Sequence, residues 1–377
     1  MAKRFALMLA MVAVGALAGQ LSGHVTAVLD GPVYAPLVTA LLAVGLYGST
    51  HGIDLSQLRT DLKTVVLAVT VGVLCKAALI TAVMVAAFQN PAYLVLGVAV
   101  AQIDPLSVSA LGESSRLSPR GRSLLLAWAS FDDPVTTLIT IYVAALALPL
   151  RHGGTGGHLD LGGAAAFTAD LAGNLAVAAV AVGLFLLVRR FAPRWEFGAG
   201  CVLLAGVLAV GVWQLWVLAV ALAGLVVRPV LPGRPDAVQR LLDRCVNGAF
   251  LVASALLGAV LSLGVSPLPG LVLGVTAFAA HALVSLPLTR AQSGDRGALA
   301  LAQQNGITAI ILALLLEPAF GGTVAVVAPA ILVINLLYLG GNAMLGLRSR
   351  WPAPDPARAD RPLLTAADGR PAESHGG

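Results

Sequence analysis

The run Leu124-Leu-Leu-Ala-Trp128-Ala-Ser-Phe-Asp132-Asp133-Pro134-Val-Thr-Thr-Leu-Ile-Thr-Ile-Tyr-Val-Ala-Ala-Leu146 reads as a membrane span with two adjacent carboxylates in it. One charged side chain at mid-bilayer costs roughly 2.5–3.5 kcal/mol on insertion scales. A second beside it adds like-charge repulsion, which a proton or an arriving cation relieves. A third acid, Asp104, lies in the preceding apolar segment, directly before Pro105. Buried acids that trade a proton for a cation are the parts of an ion-coupled transporter.

The rest of the chain fits that environment. Hydrophobic residues make up 58% of 377 and charged residues 11%, against about 25% charged in a soluble protein. Mean hydropathy is +0.90. A span needs about 20 apolar residues, and scanning places twelve: 5–21, 33–50, 64–88, 92–112, 121–149, 163–188, 197–211, 213–227, 246–264, 270–288, 298–316 and 322–346. The expected fold class is therefore an all-α membrane protein with about twelve transmembrane helices. The first segment begins like a signal peptide but reads as a retained helix.

Basic residues cluster after even-numbered spans: Arg59 and Lys63, Arg116 to Arg122, Arg189 to Arg194, Arg228 to Arg244, Arg290 and Arg296, Arg348 and Arg350. Odd-numbered exits are nearly bare, with Arg151 the exception. The positive-inside rule then puts both termini in the cytoplasm and favours two helices over 197–227. The net charge of +5 thus reflects topology, with no nucleic acid as partner. Residues 351–377 have no apolar period and read as a disordered cytoplasmic tail, too short for a regulatory nucleotide-binding domain. Cys75, Cys201 and Cys245 are scattered and suggest neither disulfide nor metal site. No cofactor is expected.

Other polar residues interrupt the spans. Proline after Asp104 removes a helix hydrogen bond and disfavours helix at the acid itself; the alternatives are a broken helix at an ion site, or a kink whose Asp bonds Ser107. Gln303, Gln304, Asn305 and Gly306 break the eleventh span halfway, which reads as a second discontinuous helix or as interhelical amide bonding. Spans 3–5 and 10–12 run in opposite senses and each triplet has an interrupted middle member, an inverted repeat that places a site at the midplane. Asp132 and Asp133 point about 100° apart on a helix, so they serve different roles. One role calls for a positive partner, and His281 and Lys76 are the candidates deep in other spans.

These residues resemble the monovalent cation/proton antiporter superfamily, the sodium/hydrogen exchanger family, over about residues 1–348. Asp104-Pro105 is similar to its Thr-Asp-Pro signature, with Ile103 in place of Thr. Phe131-Asp132-Asp133-Pro134, at the end of a similar stretch from Arg116, resembles the Asp-Asp form of the electrogenic branch. The glutamate of the electroneutral branch is absent, and Trp128 falls about there. Gln303-Gln304-Asn305-Gly306 resembles its Gln-Gly-Gly segment. The resemblance implies that Asp133, with Asp104, holds the monovalent cation or the proton. It implies that Asp132 is held by a basic residue in the tenth span, where most electrogenic relatives carry Lys and this chain has His281. It further implies two crossing discontinuous helices, a mobile core (64–188 and 270–346), a scaffold (5–50 and 197–264) and a homodimer.

The expectation is an inner-membrane antiporter, not an enzyme, that exchanges Na⁺, or K⁺ or Li⁺, for H⁺ by alternating access and serves pH homeostasis. Competing readings are an ion-coupled organic-anion symporter of similar fold and an intramembrane aspartyl protease. The protease's Tyr-Asp and Gly-x-Gly-Asp motifs are absent.

Overall fold

A computed structural model describes residues 2–51, 53, 55–90, 92–109, 117–151, 161–231, 235–289 and 294–348. The expected tail at 351–377, Arg116, Arg234, Arg290 and most of the 150–162 loop lie outside them. Regular structure among the described residues is helical throughout. In chain order the helices are α1 (Ala2–Ser22), α2 (Val25–Leu29), α3 (Tyr34–His51), α4 (Leu55–Leu67), α5 (Val73–Phe88), α6 (Ala92–Ala99), α7 (Pro105–Ser109) and α8 (Pro119–Arg151). There follow α9 (Leu161–Phe191), α10 (Glu196–Gln214), α11 (Val217–Val226), α12 (Pro235–Leu261), α13 (Pro267–Leu288), α14 (Arg296–Ala300), α15 (Ile307–Phe320) and α16 (Thr323–Arg348). Seven segments are long and apolar enough to cross a membrane alone, and Ala6–Ser22, Val217–Val226 and Ile307–Phe320 are shorter apolar helices.

Local chemistry explains the interruptions. A π-helical turn, Ala68–Gly72, joins α4 to α5. α10 stops at Leu215, whose φ of 60° is left-handed, and α11 starts two residues on. The stretch 197–227 is therefore two helices, as the basic residues predicted, and α11 is a short one. Pro105 opens α7 at a position where a missing N–H costs nothing. α14 ends at Ala300, and Leu301–Gly306 carries no helix until α15 resumes at Ile307.

Small residues bring the backbones together, the usual device where lipid gives no hydrophobic push between helices. Gly15 and Gly19 of α1 lie against Ala255 and Ala259 of α12; a Cβ on Gly15 would stand 1.9 Å from the Ala255 carbonyl oxygen. Gly270 and Gly274 of α13 do the same against Val326 and Ala330 of α16. The largest buried apolar cluster draws on α3, α5, α6, α12, α13, α15 and α16. A smaller one gathers Ile103, Leu125, Trp128, Leu299 and Ala302 beside the two breaks. Large apolar side chains such as Leu184, Leu187, Val202 and Leu336 point outward, as a lipid-facing surface requires.

Candidate ion-binding site

Two broken helices meet at the centre, one interrupted at 100–104 between α6 and α7, the other at 301–306 between α14 and α15. A broken helix leaves carbonyls and N–H groups without intrahelical partners, and in an apolar setting each must be met. Here each break meets the other. The Asp104 N–H donates to the Gln304 carbonyl at 2.9 Å. Gln303 Nε2 donates to the Gln102 carbonyl at 2.7 Å, and Asn305 Nδ2 to the Val100 carbonyl at 3.0 Å. Asn335 of α16 donates to the Asn305 carbonyl at 3.1 Å. The amides expected at the crossing are thus bonded across it, while Gln304 Nε2 and Gln303 Oε1 are buried without partners.

Asp104 occupies the cap position of α7. Its Oδ2 accepts from the Ser107 N–H at 3.1 Å and from Ser107 Oγ at 2.6 Å, the arrangement of a helix-capping aspartate. The break and the Ser107 bond, read from sequence as alternatives, occur together. Gly306 lies hard against this carboxylate: a Cβ there would come within 2.0 Å of Asp104 Oδ2. That close approach is why glycine ends the second break.

α8 brings Asp132 and Asp133 to the crossing, both buried, and they diverge. Asp132 Oδ2 accepts from Lys76 Nζ of α5 at 2.8 Å and from the Ile103 N–H at 2.9 Å. Asp132 Oδ1 has no partner. Asp133 Oδ2 accepts from Thr308 Oγ1 in the first turn of α15 at 2.8 Å. The Gln102 amide, turned with its nitrogen toward Asp133, donates to Oδ1 at 3.1 Å while its oxygen accepts from the Ala309 N–H at 2.9 Å. Asp133 therefore sits at the N-terminal end of α15, where the helix dipole favours negative charge. Asp104 is within electrostatic range of it.

The partner of Asp132 is a correction to the family-based expectation. His281 of α13 does not hold it. Its Nε2–H donates to the Leu299 carbonyl at 3.0 Å, its Nδ1 is unpartnered, and its ring lies 5.3 Å from that of Trp128. Trp128 is one helical turn before Asp132 on α8, so His281 meets the tryptophan. Lys76, entering from α5 with a longer stem, reaches the carboxylate and passes its ammonium 5.7 Å from the Trp128 ring centre.

Several contributors went unremarked in the sequence. Thr308 and Gln102 are small or neutral polar residues that sit next to breaks already recognised, and that adjacency was the available signal. Glu317 is a buried acid outside the crossing. Its carboxylate accepts from the Gly322 and Val324 N–H groups and from Thr323 Oγ1, so it caps the start of α16.

A family model described as sodium/hydrogen exchanger, transmembrane, matches residues 2–341. Among solved structures the chain is similar to the sodium proton antiporter MjNhaP1 from Methanocaldococcus jannaschii at pH 8. The TM-score is 0.60 and the identity 17%, over 91% of this chain and 98% of that one. A second structure of that antiporter, by electron microscopy, gives a TM-score of 0.60 and 18% identity over 84% of each chain. No curated protein matches. At this identity the structural likeness shows the fold alone.

Proposed function

The chain belongs to the sodium/hydrogen exchanger family, and on that footing we propose that it is an antiporter in which a monovalent cation and H⁺ compete for Asp133. The cation is Na⁺ in the first instance, with Li⁺ and K⁺ as the alternatives. One observation carries the reading: adjacent aspartates have unlike partners. Asp132 has a cation, Lys76, at 2.8 Å, whereas the described partners of Asp133 are the neutral donors Thr308 and Gln102. A carboxylate held by neutral donors in a dry interior is neutralised by a proton or by a desolvated cation, one at a time.

In this scheme Asp133 takes the cation as it releases H⁺. Asp104, at the other side of the crossing, adds a second negative field to the same space. Thr308 and Gln102 orient the Asp133 carboxylate. The Lys76–Asp132 pair fixes α8 against α5 and the first break through the Ile103 N–H. The loaded site is exposed to the two sides of the membrane alternately, with the two broken helices moving as one.

The test is proteoliposomes holding an internal pH dye, challenged in turn with Na⁺, Li⁺, K⁺ and Ca²⁺. Cation-driven pH change with a monovalent ion is expected from the parent protein. Asp133→Asn should insert and fold but give none. Parent-like exchange in that variant would remove Asp133 from the cycle.

A further inference from the structure

Hydroxyls buried in helices normally turn back to the carbonyl three or four residues earlier, and this chain follows the habit. Thr39 bonds Ala35, Thr50 bonds Leu46, Thr140 bonds Thr136, Ser254 bonds Phe250 and Thr289 bonds Ser285, each through the carbonyl oxygen. Thr136 and Thr137 break it. Both are fully buried on α8 and neither hydroxyl has a partner. They lie one turn C-terminal to Asp132 and Asp133 respectively. Helical side chains lean toward the helix N-terminus, so a residue covers the turn before its own Cα. The two threonines therefore lean over the aspartate pair.

The same stretch of α8 holds two more buried oxygens without partners, Asp132 Oδ1 and Ser130 Oγ. Pro134 has no N–H to give the Ser130 carbonyl one turn back. A hydroxyl in such a place gains most from a bare cation, since alkali and alkaline-earth ions prefer oxygen ligands.

We propose that Thr136 and Thr137 supply neutral oxygen ligands to the cation at Asp133 and so determine which alkali ion is preferred. The inference rests on the antiport reading above and adds the size-selective part of the site. The carboxylate sets the charge of the occupant. Two hydroxyls fixed to one helix set how large it is, because their spacing is that of the helix. Replacing either hydroxyl by a methyl group keeps the volume and removes one oxygen.

The experiment uses the full purified chain in proteoliposomes and measures KM and the maximal rate separately for Na⁺, Li⁺ and K⁺ at fixed pH. For Thr137→Val and Thr136→Val the expected result is a roughly tenfold higher KM for the preferred ion, from the strength of a bond to a charged group. The ratio of KM values among the three ions should change, with the maximal rate kept within about threefold. Thr137→Ser restores the oxygen and should restore both the KM and the ratio. Should the valine variants fail to accumulate, Thr137→Ala and Thr136→Ala, which remove the same oxygen, should show the raised KM and the changed ratio. Unchanged KM and unchanged ion ratios in all variants, with exchange intact, would overturn the ligand role and leave the antiport reading standing. Absence of exchange in the parent protein would overturn both.

Discussion

Lys76 and Asp132 form a buried ion pair at 2.8 Å between α5 and α8, and the same carboxylate oxygen also receives the Ile103 N–H at the first helix break. One acid thus ties together α5, the crossing and the helix that carries both aspartates. The ammonium also lies near the face of Trp128, which a cation favours. The pair holds α8, and Asp133 next to Asp132 with it, against α5.

Removing one member should be far worse than removing both. Lys76→Met leaves a buried carboxylate without its cation, a change of about 3–5 kcal/mol for typical buried pairs. Combined Lys76→Met and Asp132→Leu should recover at least half of the lost melting temperature. Thermal unfolding of the four purified proteins in detergent is the measurement, and strictly additive losses would mean that the two residues act independently.

His281 should matter for packing and little for proton handling. His281→Ala strips a donor from the Leu299 carbonyl and opens space beside Trp128, an expected loss of about 1–3 kcal/mol. The pH profile of exchange should stay within about half a unit of the parent. Histidine, with a reference pKa near 6.5, titrates in the working range far more readily than lysine. A shift of a full unit or more in the profile would therefore put His281 back beside Asp132 in the working cycle.

Gly306 is the tightest point of the crossing. Gly306→Ala places a methyl group where Asp104 Oδ2 now lies, and the carboxylate must leave Ser107 to make room. The expected result is a lower melting temperature and a several-fold weaker apparent cation affinity, since a lost bond to a charged group is worth about 1.5–3 kcal/mol. Affinity and melting equal to the parent would show that Asp104 tolerates displacement.

Asp132, Asp133, Asp104-Pro105 and the amides at 303–305 were legible because charge, amide and proline are conspicuous in apolar sequence. The break at 213–216 was legible from basic residues on either side of the span pair. The mate of Asp132 was not, because it depends on how α5 and α13 are rotated against α8, and two basic residues at similar depth are indistinguishable in one dimension. Thr308 and Gln102 escaped notice for a related reason. Threonine and glutamine are ordinary in helices, and only the crossing geometry turns them toward Asp133. The capping role of Glu317 depends on the turn at Gly321 and Gly322, whose positive φ values fold the chain back onto its carboxylate.

The π-helical turn at Ala68–Gly72 gives the Lys76 contact a length as well as an identity. Two bolts join the α4–α5 rod to α8. Arg120 of α8 grips Asp61 in a two-pronged bond at 2.7 and 3.0 Å, and Lys76 grips Asp132. Between the bolts α8 spans about 18 Å and the other rod, if wholly α-helical, about 22 Å at the standard rise. The π turn carries more residues per turn than an α-helix and so sets the rotation of the rod beyond it. Inserting one residue into the regular helix between that turn and Lys76, at 73–75, would swing Lys76 by about 100°, off Asp132, with every side chain of the site still present. In this protein the counter-charge is a matter of phase along a helix, and chain length between the two bolts is inherited together with the lysine.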